Sequence, residues 1–142
     1  MASLLISIAL LGLFPPCPAS ARPAAPARAM FAAHYAPGVM QQVAKHRGMA
    51  FQRCGVALDH APLGSLVRVQ GVRTQRSRSC TVYDYSHPRD RARHLRASLV
   101  ELDHASARDI CGAVYYLSRP SECPVLVTVL HGVTQHEATD RL

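Results

Sequence analysis

Apolar positions along this chain follow three different patterns. Leu4 to Phe14 is an unbroken apolar run with no polar face, shorter than the about 20 residues a membrane-spanning helix needs. From Val39 to Arg47 the apolar positions Val39, Met40, Val43 and Ala44 recur at helical spacing, and Gly48 is placed to stop the helix. Short apolar or alternating runs elsewhere predict strands over Phe31–Ala36, Cys54–Leu58, Leu66–Val69, Cys80–Tyr85, Ser98–Leu102 and Pro124–Leu130. Turn signals fall between them, at Pro37-Gly38, Pro62-Leu63-Gly64 and Gly71. Asp103 is placed to cap a second helix running to Ile110, with Ala105, Ala107 and Ile110 facing inward and Gly112 behind it. Ser86 to Arg96 (SHPRDRARHLR) has no apolar period and reads as a charged, solvated loop. Strands this short and this closely spaced leave no room for helical crossovers. The expected fold is therefore mainly β: a small closed six-stranded barrel with two short helices.

The first run has the flanks of an export signal. Pro15-Pro16 and then Ala19-Ser20-Ala21 follow it, a small-x-small cleavage pattern ahead of Arg22. The expected division is a signal peptide over 1–21, a flexible Pro/Ala-rich linker over 22–30, a barrel domain over 31–131 and a polar tail over 132–142. Cys17 leaves with the signal, and prolines occupy the positions where a lipoprotein signal needs small residues. A secreted or periplasmic, non-lipidated protein with no membrane span after cleavage is expected. Four cysteines remain, Cys54, Cys80, Cys111 and Cys123, an even number in an exported domain and hence two disulfides with three possible connectivities. The favoured pairing joins Cys54 to Cys80, both on strand-like segments, and Cys111 to Cys123, closing a loop around Tyr115 and Tyr116.

Charge narrows the partners. The formal net charge is +7, and residues 1–21 contribute no charged side chain. Anionic envelope polymers then become plausible partners, whereas nucleic acid is not expected outside the cell. The eight histidines are scattered without metal-ligand spacing, so neither a metal nor another cofactor is expected. A monomer is the expected state.

One stretch is more specific. Asp59 to Val69 (DHAPLGSLVRV) resembles the signature of rare lipoprotein A-like double-psi β-barrels: a His, then Pro-Leu-Gly, then a strand of alternating Val and Arg. Val82-Tyr83-Asp84 and Leu99-Val100-Glu101-Leu102 follow in family order, and His34-Tyr35-Ala36-Pro37-Gly38 is similar to the family's first strand. The resemblance spans roughly residues 31 to 130, and expansins and barwin-like proteins share the barrel. It implies a double-psi barrel that binds peptidoglycan or another polysaccharide in a groove lined by Tyr35, His60, Asp84 and Glu101. Some members are lytic transglycosylases, in which one carboxyl serves as both acid and base. By position that group is Asp84, with His60 as its catalytic neighbour. Met49 falls where the family has an upstream Glu, and Tyr85-Ser86-His87-Pro88 stand in place of its Arg-Gly, which leaves turnover open. Tyr83 and Tyr85 share a strand face and are candidate sugar-stacking residues, with barrel filling as the plain alternative. A third reading is a barwin-like module that engages a protein partner through His87 to Arg96.

Overall fold

A computed structural model describes residues 25–112 and 123–131. The elements run β1 (Arg28–His34), α1 (Val39–His46), β2 (Gly55–Ala57), β3 (Leu66–Gly71), β4 (Ser77–Asp84), α2 (Arg91–Ala97), β5 (Leu99–Leu102), α3 (His104–Cys111) and β6 (Pro124–His131). The strands close into a barrel in the order β1-β5-β2-β4-β3-β6. β1 runs parallel to β5 and β2 parallel to β4, while the other neighbours are antiparallel. The mainly β, closed six-stranded architecture is the expected one, and its strand order is consistent with a double-psi barrel.

Period-2 alternation builds the interior. Met30 and Ala32 of β1, Val67 and Val69 of β3, Val100 and Leu102 of β5, and Val125 and Val127 of β6 all point inward and are buried. Val56 and Val82 join them from β2 and β4. Burying each such aliphatic side chain contributes roughly 1.5–3 kcal/mol. Between them Arg68, Glu101 and Leu126 face outward, as strict alternation requires.

Both favoured disulfides are present. Cys54–Cys80 ties the approach to β2 onto β4, with Cα atoms 4.5 Å apart, and Cys111–Cys123 ties the end of α3 to the start of β6 at 5.6 Å. Asp103 caps α3 as expected, its Oδ1 accepting from the Ser106 amide at 3.0 Å. Its Oδ2 also accepts from the Gly55 amide at 2.9 Å, and the Asp103 amide donates to the Gly55 carbonyl at 2.8 Å. The cap thereby pins three-residue β2 to the β5–α3 corner.

A second apolar cluster lies outside the barrel wall. Met40 and Ala44 of α1 pack on Tyr83 of β4, with Tyr35, Val43, Met49 and Phe51 around them. The helix sits so close to β2 that a Cβ on Gly55 would lie 2.6 Å from Met40 Cγ and 2.8 Å from Tyr83 Cδ2. Only glycine fits there.

The structure corrects three expectations about the elements, the first being that Ala105, expected to face inward on α3, is exposed while Ser106 is buried. Among the described residues there are three helices rather than two, because Arg91–Ala97, expected as loop, forms α2. Only His94 of its seven residues is buried, so it presents no apolar stripe for periodicity to detect. β1 begins at Arg28, three residues before the expected strand, since pairing of Arg28, Ala29 and Met30 with β6 organises a segment whose composition reads as a linker. The expected signal over 1–21, the loop around Tyr115 and Tyr116, and the tail over 132–142 lie outside the described residues. Among the described residues no helix is long and apolar enough to cross a membrane.

Candidate functional site

Strand register sets a row of residues across the outside of the barrel. Ala33 of β1 pairs with Glu101 of β5, Glu101 with Ala57 of β2, and Ala57 with Asp84 of β4. The register of β2 on β4 shifts just before Ala57, which brings Asp84 rather than Tyr83 opposite it. Two carboxylates thus alternate with two alanines on one face.

Asp84, at the end of β4, has both oxygens engaged. Arg47 Nη2 donates to Oδ1 at 2.7 Å, and the Tyr35 hydroxyl donates to Oδ2 at 3.2 Å. Its side chain is 20% exposed, so the carboxylate remains in reach of a ligand. Tyr35 is placed just past β1 by its amide, which donates to the Leu102 carbonyl at 2.9 Å. Burial, then the charges of Glu101 and Asp84, push the Tyr35 phenol well above its ordinary value and keep it a hydrogen-bond donor. Arg47 arrives from the C-terminal cap of α1, which crosses β4.

Glu101 is in a different setting. Burial pushes its carboxyl above the ordinary value, His94 opposes that, and Asp84, Asp90 and Asp59 add to it. His94 Nδ1 lies 3.7 Å from Glu101 Oε2 and 2.9 Å from Ser86 Oγ. The Ser86 amide in turn donates to Asp59 Oδ1 at 3.2 Å. A polar chain therefore runs from Glu101 through His94 and Ser86 to Asp59.

The structure brings Tyr35, Asp84 and Glu101 together and sets His60 apart from them. His60 lines a cleft of about 230 Å³ together with Arg28, Met30, Asp59, His94 and Leu99, and neither Asp84 nor Glu101 belongs to that lining. Burial, followed by the charge of Arg28, lowers the His60 imidazole below its ordinary value, against an opposing effect of Asp59. His60 Nε2 is covered and has no hydrogen-bond partner among the described residues.

Of the two tyrosines read as stacking residues, Tyr83 is fully buried and packs under α1. Its hydroxyl donates to the Ala50 carbonyl at 2.9 Å and accepts from the Gln52 amide at 2.7 Å, while its ring stacks on Phe51 at 5.4 Å. Tyr85 is half-buried, accepts from the Leu63 amide at 3.1 Å, and has the Arg91 guanidinium 6.0 Å above its ring. Met49 is part of the α1 cluster beside Tyr35 and Tyr83.

Sequence reasoning missed Arg47, His94 and Ser86. Arg47 reads as an ordinary cation at a helix end. His94 lies in a segment whose composition reads as a solvated loop. For Arg47 the only signal was a single basic residue at the end of a short helix, and nothing local ties it to a carboxylate 37 residues away.

The assembled groups offer donors from Tyr35 and Arg47, an acceptor in Asp84 and a desolvated carboxyl in Glu101. That set suits hydroxyl-rich ligands, whose groups both donate and accept. Among the described residues no cluster of His, Cys, Asp or Glu is arranged to hold a metal ion. Compared with known proteins, the chain matches no protein-family model and no curated sequence.

Proposed function

We propose that this protein is an exported, rare lipoprotein A-like envelope protein that binds peptidoglycan or another polysaccharide through the outer barrel face carrying Tyr35, Asp84 and Glu101. The observation that carries the reading is their convergence. Three residues from separate segments meet across β1, β5, β2 and β4, with Arg47 bonded to Asp84. Asp84 and His60 are both partly exposed, as contact with a glycan requires. Two disulfides support an oxidising, extracellular compartment.

Turnover of the glycan is the second reading, and one observation favours it. Asp84 and Glu101 form a pair of carboxyl groups in unlike surroundings, the arrangement by which acid and base roles become separated. In this reading Glu101, desolvated beside His94, is the proton donor.

The test is co-sedimentation of the oxidised protein with insoluble peptidoglycan, chitin and cellulose, with released sugars scored by mass. Binding without products, weakened at least fivefold by Asp84→Ala, is expected. Anhydro-sugar products lost in Glu101→Gln would establish turnover. Neither binding nor products would overturn the glycan reading and direct attention to α2 and a protein partner.

A further inference from the structure

We propose that the cleft between the start of β1, the Asp59–His60 turn and α2 is a subsite for a single carboxylate-bearing sugar residue. The inference rests on the glycan-binding reading and names the class of glycan, an acidic one. Size is the first argument. At about 230 Å³ the cleft falls below the roughly 300–1,000 Å³ of sites that enclose drug-sized ligands, and so suits one ring rather than a longer segment.

Charge is the second. Asp59 lines the cleft, but its side chain is only 4% exposed and its Oδ1 is engaged by the Ser86 amide at 3.2 Å and Arg91 Nε at 3.4 Å. Arg28 has no such engagement: it forms no ion pair among the described residues and stands exposed at the first residue of β1. His94 uses Nδ1 on Ser86 and towards Glu101, and His60 carries a covered Nε2 with no partner among the described residues. The unpaired Arg28 guanidinium, beside an Asp59 carboxylate already paired with Arg91 and two imidazoles able to hydrogen-bond, matches a single negative charge. A dianion would meet Asp59 unfavourably.

Shape is the third argument. Met30 and Leu99 form part of the wall, an apolar surface against which the C–H face of a pyranose can pack while its carboxylate meets Arg28. His94 links this cleft to Glu101, so a chain of sugars crossing the outer row could place an acidic unit here.

The experiment titrates the oxidised protein with tri-galacturonate, with the neutral trimer of N-acetylglucosamine and with inorganic phosphate, following the His60 and His94 imidazole resonances by NMR. Saturable shifts of both with tri-galacturonate, absent with the neutral trimer, are expected. Arg28→Gln, an exposed change outside the core, should weaken that binding about tenfold while leaving the melting temperature unchanged. Phosphate shifting the same resonances as tightly as tri-galacturonate would overturn the sugar assignment. So would tri-galacturonate binding that is unaffected by Arg28→Gln, or the absence of any shift. Retained pelleting with neutral glycans but no tri-galacturonate shift would overturn this inference alone. Tri-galacturonate shifts without any pelleting would instead count against the outer-face reading and leave the cleft standing.

Discussion

Asp84 and Glu101 face the same residue, Ala57, from opposite sides of β2. Their backbones are therefore two strand spacings apart, roughly 9–10 Å. Asp84 holds an arginine and a tyrosine, while Glu101 is desolvated beside a histidine. One strand thus separates two carboxyl groups into unlike environments.

Glu101 should make stability fall with rising pH. Its folded-state value lies above the ordinary 4.5, so its contribution is complete below that pH and is lost as pH rises through the folded value. Glu101→Gln removes this dependence. Its melting temperature should match the parent at about pH 4 and exceed it at about pH 7. An equal offset at both pH values would show that burial of the charge is not the cause.

His60 acts in the opposite sense. Its folded value lies below the ordinary 6.5, so its contribution is present above that pH and is lost as pH falls through the folded value. In His60→Gln, denaturant midpoints measured from about pH 7.5 down to 5 should decline less steeply than in the parent.

Arg47 should matter to the site and little to the fold. The pair with Asp84 is 44% and 20% exposed, and such pairs contribute at most about 1 kcal/mol. Arg47→Ala should stay within that limit in urea denaturation yet weaken co-sedimentation with peptidoglycan several-fold. A loss well above it would reassign Arg47 to structural support.

Asp103 should matter to the fold. Asp103→Ala removes a helix cap, worth about 1–2 kcal/mol, and leaves the buried Gly55 amide without its acceptor, a further cost of about 1–3 kcal/mol. A combined loss of about 2–5 kcal/mol is expected by chemical denaturation. Asp103→Asn, which keeps an acceptor oxygen, should recover part of it.

Much of the barrel was readable because its strands obey period 2. Val67 and Val69 around Arg68, and Val100 and Leu102 around Glu101, announce their faces without knowledge of their neighbours. The helix from Val39 and the Asp103 cap are equally local. α2 was hidden because its single buried residue, His94, is polar and gives no stripe. The start of β1 was hidden because pairing with β6, remote in sequence, makes it a strand. Tyr35, Asp84 and Glu101 were picked out one by one, through resemblance, but their convergence depends on the register of β2. Burial of Tyr83 was legible only as one of two alternatives, because its ring gains a cover only once α1 is laid across β4.

The inner wall formed by Val56, Val82, Val100 and Leu102 has a consequence for how such a protein can change over generations. The charged and hydroxyl-bearing candidate groups project from the opposite side of that wall or from the segments beside it. Charges there can be exchanged, added or lost without disturbing the interior packing, and without a compensating change elsewhere. A barrel of this kind can drift from one ligand to another, or from catalysis to simple adhesion, by single substitutions that selection for foldedness does not oppose.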